Sequence, residues 1–382
     1  MMKHDIIIPL NLIHDTMVNE KVLSMGDIMH RCSLAACIKR YFGIELSKEV
    51  RGLLQKLGVY NKRVYEYSAM DVVYLPRLLE LQRKEAEKKD LITTIDTIGR
   101  PFVTVLTYIE WCGIKVDTDL WRKKMSLDAV EVLKKQMKLD EFVFESDFNK
   151  YKQSQLNFFS DKPETTINWS STKQVIPFFK DLGIKTSMWD KKKERYKDSL
   201  DSNNLNDNDH KIVPIYKEYM KARKVVTSYG QNYLNIIEKF DDKRLRTNFK
   251  QILSTGRTAS GDGNVNFQNI PRVPDDSDRS REIYERECFV PEEGNVFIVA
   301  DYASQESRVL AEISQAPNLV KFYISGEADL HSYAVKLVYS KEYPEMENMS
   351  LKEIKKNFPK LRQIMKALNF ALTLAPCCSN AA

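Results

Sequence analysis

No Cys-x-x-Cys pair occurs in the 382 residues, and the six cysteines (Cys32, Cys37, Cys112, Cys288, Cys377 and Cys378) follow no framework spacing. Neither a zinc site nor a disulfide scaffold is suggested, so the thiols read as free and the compartment as reducing. Long apolar runs are missing too. Stretches such as 5–10 and 296–300 fall far short of the roughly 18 residues a membrane span needs. No signal-peptide pattern follows Met1, and the expectation is a cytoplasmic chain with no membrane partner. Charge of one sign is not in great excess either. Fifty-nine Lys and Arg against 53 Asp and Glu leave +6, which permits a polyanionic partner without resembling a nucleic-acid-binding tail. There is no internal repeat.

What is present is a chain long for one core, 43% hydrophobic and 10% aromatic, enough for two or three. Helical periodicity runs through residues 24–89 and ends in the charged stretch 82–90. It resumes from Ile92 to about Lys138, broken at Cys112–Asp117, which reads as a turn followed by a short strand or a helix cap. At 168–174 the pattern predicts a helix capped by Ser170 or Ser171. Basic residues crowd 191–197, and the Asn, Asp and Ser of 198–209 predict a flexible tract. Residues 212–240 read as one long helix. The run Val296–Ala300 predicts a buried strand that delivers Asp301 at its end, and helical sequence resumes at Ser304.

A carboxylate at the mouth of a buried strand can hold a hard cation against phosphate oxygens, although on local pattern alone Asp301 reads more readily as a helix cap. Upstream, Thr255-Gly-Arg257-Thr-Ala-Ser260 and Asn266-Phe-Gln268-Asn269-Ile-Pro271-Arg272 set Arg, Gln and Asn side chains among glycines. Such a group can read minor-groove acceptors at close backbone approach, or it can be a polar surface loop. Arg362 and Lys366, four apart, share a helix face that either neutralises a triphosphate or is simply solvated.

Taken in order, these blocks resemble family A DNA polymerases, the bacterial DNA polymerase I and phage group. The blocks are Thr255–Arg257, Gln268–Pro271, Asp301–Arg308 and the Arg-x-x-x-Lys-x-x-Asn-Phe of Arg362–Phe370. Further echoes are Glu110-x-x-Gly113-Ile-x-Val-Asp117, Asn168–Gln174, Lys224–Tyr229 and Asp329-Leu-His331. The resemblance covers about residues 95–370. It implies an α+β right-hand polymerase fold: thumb within 91–250, palm at 251–328, and the start of the fingers at 329–382. It also implies a monomer acting on primer-template DNA and deoxynucleoside triphosphates with Mg2+.

By the same resemblance Asp301 and the Tyr302 carbonyl bind metal, and Glu306 is the gate against a ribose hydroxyl. His331, Arg362 and Lys366 grip the triphosphate, and Phe370 stacks on the incoming sugar. Lys224, Arg257, Gln268 and Asn269 contact DNA. The family's second catalytic carboxylate motif is not found, so the chain alone is expected to be inactive, with an incomplete palm sheet that exposes an edge. After Phe370 the match lapses at Ala371, Leu374 and Ala375, and Pro376 is expected to break the helix.

Residues 1–90 resemble the second half of a ribonuclease H-like 3′-5′ exonuclease domain, truncated at its start. There Tyr67 and Asp71 match a motif whose tyrosine orients water and whose aspartate binds metal. Two other readings remain beside the polymerase: a catalytically dead primer-template DNA-binding remnant, and a ribonuclease D-like exonuclease.

Overall fold

Asp15 starts the first helix, because its carboxylate accepts the otherwise unpaired amides of Met17 and Val18 at 2.8 and 3.0 Å. This computed structural model describes residues 8–25, 27–46, 50–53, 56, 61–146, 148–152, 165–190, 193–206, 208–261, 265–274, 278–327 and 329–374. The chain divides into two compact units, Met1–Val296 and Phe297–Ala382.

The first unit opens with helices α1 (Thr16–Leu23), α2 (Leu34–Phe42), α3 (Lys62–Val73) and α4 (Leu75–Lys88). Glu20 of α1 is 1% exposed, so its polar oxygens need partners inside the fold. Those are Arg40 at 2.5 Å, His30 at 2.8 Å, Gln82 at 2.7 Å and the Tyr41 hydroxyl at 3.2 Å. Next come α5 (Arg100–Cys112), β1 (Ile114–Lys115) and α6 (Thr118–Glu145). The 112–117 break is both alternatives at once, a turn into β1 and then an Asp117 cap on α6. Gly113, at φ +57°, is required because a Cβ there would meet the Leu245 carbonyl oxygen at 2.7 Å.

Helix α7 (Thr172–Asp181), the hairpin β2 (Ser187–Asp190) and β3 (Arg195–Asp198), and α8 (Ile212–Tyr229) follow. Helices α6 and α8 run antiparallel, with Lys135 paired to Glu218 at 2.7 Å and Lys124 near the Tyr229 carbonyl at 3.5 Å. Their core is aromatic: Trp169, Phe178, Phe179 and Tyr216 are fully buried around Leu139 and Leu205. Each such side chain contributes roughly 1.5–3 kcal/mol by leaving water. Helix α9 (Gln231–Ile237), β4 (Arg244–Leu245) paired to β1, and β5 (Phe249–Lys250) paired to β6 (Ala259–Ser260) complete the strands. The second unit is helical: α10 (Gln305–Ser314), α11 (Pro317–Ile324), α12 (Leu330–Tyr339), α13 (Leu351–Asn357) and α14 (Pro359–Leu374).

Several expectations are corrected. No single palm sheet forms among the described residues, which hold three two-stranded sheets, all antiparallel. The run Val296–Ala300 is not a buried strand. It joins none of those sheets, and Ile298 and Val299 are more than nine-tenths exposed. The 190–210 tract is ordered wherever it is described. Arg195–Asp198 pairs with β2, and Leu205 is buried in the aromatic core. The Asn204 amide donates to the carbonyls of Thr186 and Ser199 at 2.8 Å each. Polar side chains there hold backbone in place of hydrophobic area.

The long helix breaks at Gly230, where a Cβ would meet the Val226 carbonyl oxygen at 2.3 Å. Ser171 occupies the N-cap of α7, but its side chain makes no capping bond. Asn168 accepts from the Ser170 amide at 3.0 Å, and Gln174 reaches back to the Asn168 amide at 2.7 Å. Helix α14 runs to Leu374, and Ala375 and Pro376 lie outside the described residues.

A buried charge cluster ties α6 to the turn Glu285–Cys288. Lys124 Nζ meets Asp128 at 2.7 Å and Glu285 at 3.1 Å, and Arg281 grips Glu285 through two bonds of 2.8 and 2.9 Å. Lys124 is 1% exposed and Glu285 fully buried. Burial resists ionisation of Glu285, but the Arg281 bonds and the nearby Lys124 outweigh it and hold its carboxyl below the usual range.

Candidate nucleotide and nucleic-acid site

In the second unit one carboxylate links two helices. Asp329 caps α12, accepting from the Ser332 amide at 3.2 Å and the Ser332 hydroxyl at 2.8 Å. Arg362, in the first turn of α14, grips the same carboxylate with Nε at 3.0 Å and Nη2 at 3.1 Å. Seven residues on, the Asn369 amide meets His331 Nδ1 at 3.1 Å. The spacing Arg362, Lys366, Asn369 therefore marks one face of α14, and that face is turned to the start of α12. Beneath it Val335, Met346, Ile354 and Met365 form the core that fixes the two helices.

Electrostatics follow this geometry. Burial opposes the charge of Asp329, but hydrogen bonds from Arg362 and Ser332 win and hold its carboxyl below the ordinary value. His331 shifts down, first through burial and then through Arg362 and Lys366, against the opposing pull of Asp329. The imidazole is therefore biased to its neutral form beside two cations.

A cavity of about 270 Å3 opens here, lined by Tyr302, Ser304, Gln305, Glu306, Ser307, Leu330, His331 and Asn369. Its wall on the α10 side begins at Ser304, held at φ +54°, where a non-glycine residue is strained. Arg308 steadies that turn. Its Nε donates to the Ala303 carbonyl at 3.0 Å, and its guanidinium lies 4.6 Å from the Tyr323 ring centre.

The structure thus brings Tyr302, Glu306, His331, Arg362 and Lys366 into one neighbourhood. Asp301 sits exposed in an irregular segment outside the cavity lining. Among the described residues no three His, Cys, Asp or Glu side chains stand together. Asp301 and the Tyr302 carbonyl by themselves offer one carboxylate and one carbonyl, fewer oxygen donors than a two-cation centre needs. Phe370 lies on α14, with its side chain outside the described residues.

In the first unit Gln268 is strapped across β6. Its Oε1 accepts the Ser260 amide at 2.9 Å and its Nε2 donates to Thr258 Oγ1 at 2.8 Å. The Asn269 carbonyl accepts from the Tyr229 hydroxyl at 2.7 Å, joining the end of α8 to this turn. Arg257, Gln268, Asn269 and Lys224 are all exposed. Tyr67 and Asp71 lie one turn apart on α3, both half-buried, and among the described residues they belong to no cluster of three metal-ligating side chains. Sequence reading missed the roles of Asp329, Asn369 and Tyr229. Only Asp329 carried a local signal, an acidic residue just before a helical run.

Residues 141–374 match the family model for DNA polymerase family A, more than half of the chain. The chain belongs to DNA polymerase family A. DNA polymerase I of Caldicellulosiruptor bescii is 29% identical over 305 residues, covering 79% of this chain and 31% of that protein. The Synechocystis enzyme of the same name is 27% identical over 341 residues, covering 86% and 31%. The chain thus spans about a third of the length of these relatives.

Among solved structures, the polymerase domain of Pol1 from M. smegmatis, in complex with DNA primer-template and dNTP, superposes with a TM-score of 0.64. It covers 94% of this chain and 53% of that one at 22% identity, a likeness that speaks for the fold. The helix-rich architecture with few strands is that of a family A polymerase domain. No described helix is long and apolar enough to cross a membrane.

Proposed function

We propose that this family A chain binds primer-template DNA and a deoxynucleoside triphosphate for template-directed nucleotidyl transfer. The observation that carries this reading is the shared face of α12 and α14, where His331, Arg362 and Lys366 converge beside a cavity lined by Tyr302 and Glu306. Two cations and a neutral N–H donor suit a triphosphate. Arg362 has five N–H donors, of which Asp329 engages two, so the carboxylate aims the guanidinium while other donors serve phosphate oxygens. Lys366 is placed to steady the charge that develops on the pyrophosphate leaving group. Glu306 bounds the sugar pocket and excludes a ribose hydroxyl.

In this reading α6 and α8 form the thumb, with Lys224 toward duplex phosphates. Arg257 and the turn at Gln268 and Asn269 approach the minor groove, where acceptors are common to all base pairs. Residues 1–90 are read as derived from an exonuclease domain in which Tyr67 and Asp71 are vestiges. The family reaction uses two cations about 3.5–4 Å apart, and Asp301 with the Tyr302 carbonyl offers only one carboxylate toward them. The chain by itself is therefore expected to grip its substrates without extending a primer.

Primer extension with magnesium and deoxynucleotides, alongside a band shift on the same primer-template, tests this reading. A salt-sensitive shift with triphosphate binding supports it. Failure to bind either ligand overturns it, and extension lost in Asp301→Ala would show that a complete cation site forms after all.

A further inference from the structure

We infer that Asn369 is a positioning residue that fixes the tautomer of His331, holding Nδ1 as an acceptor and the ring proton on Nε2 in the wall of the nucleotide cavity. The carboxamide nitrogen of Asn369 only donates, and it lies 3.1 Å from His331 Nδ1. Nδ1 must then accept, which places the ring proton on Nε2. Asn369 stands two turns beyond Arg362, whose own grip on Asp329 locks the helix pair that carries both residues. Both His331 and Asn369 line the cavity between α10 and the α12–α14 pair.

Among the described residues, the charged and titratable groups around the imidazole include Asp329 on its own element, Arg362 and Lys366 from α14, and Tyr302 and Glu306 across the cavity. Burial and the two cations disfavour a second ring proton, in keeping with a neutral donor. The ligand class is a polyphosphate, whose oxygens accept from one neutral N–H and two cations in concert. This deepens the nucleotide reading above and rests on it.

The test is histidine 15N NMR on the unmodified chain, followed by titration with a deoxynucleoside triphosphate and with inorganic triphosphate. His331 is expected to show a pyridine-like Nδ1 and a pyrrole-like Nε2 before any ligand is added. In Asn369→Leu the tautomers should mix, and triphosphate affinity should fall by about threefold to tenfold, the worth of one hydrogen bond. Asn369→Asp, which accepts where Asn donates, should move the proton to Nδ1. A protonated Nδ1 in the unmodified chain would overturn the assignment, and that measurement needs no variant to fold. The expected tautomer without triphosphate binding would support Asn369 as the positioning residue while sinking the nucleotide reading.

Discussion

Asp329 shows how much one carboxylate can organise: it ends the α12 backbone, orients Arg362, and so sets where His331 stands. Its depressed pKa has a definite pH consequence. A group held below its unfolded value stabilises above that value, about 3.9 for Asp, and the contribution is lost as pH falls through the folded value. His331 is also depressed, so the unfolded chain binds the proton first and stability declines as pH drops through about 6.5. We expect Asp329→Asn to lower stability at pH 7 and to flatten the acid limb below pH 4, measured by urea denaturation across pH. An unchanged acid limb would mean that other carboxylates dominate it. The sequence showed Arg362, Lys366 and His331 as a set, but nothing local marks which anion an arginine 33 residues away will take.

At the scale of elements, legibility divided by whether the signal was local. Helices α6, α8, α12 and α14 followed from apolar periodicity, and Gly113 and Asp117 announced the turn and cap at 112–117. The tract at 198–209 misled because composition counts apolar residues, whereas its order comes from long-range contacts: Leu205 in the aromatic core and Asn204 across two carbonyls. The strand expected at Val296–Ala300 failed for a related reason, since five apolar residues specify a strand only where another strand offers its edge. Gly230 was visible as a residue but not as a break. Its lack of a Cβ admits the Val226 carbonyl, so Gly230→Ala should destabilise the first unit by about 1–3 kcal/mol through overpacking. Thermal denaturation of that variant checks this, and a neutral result would show that α8 and α9 can straighten into one helix.

Across the whole molecule, the polymerase reading asks two different things of charge. Inside, Lys124, Asp128, Arg281 and Glu285 neutralise each other, so removing one partner strands the rest. Glu285→Ala should cost roughly 3–5 kcal/mol, while pairing it with Lys124→Met should recover part of the loss, a coupling that a double-mutant cycle in urea would read directly. Outside, charge has to meet phosphate. Lys224 is exposed on α8, whereas Gln268 is exposed but anchored to Ser260 and Thr258 and carries no charge. A phosphate contact releases counterions and a base-edge contact does not. If the first unit holds duplex DNA as proposed, Lys224→Ala should weaken primer-template binding and reduce the slope of log affinity against log salt by about 1. Gln268→Ala should weaken binding at an unchanged slope. Band shifts over a range of salt concentrations separate the two. Equal slopes for Lys224→Ala and the unmodified chain would take α8 off the phosphate backbone and leave the turn at Gln268 as the remaining candidate for contact.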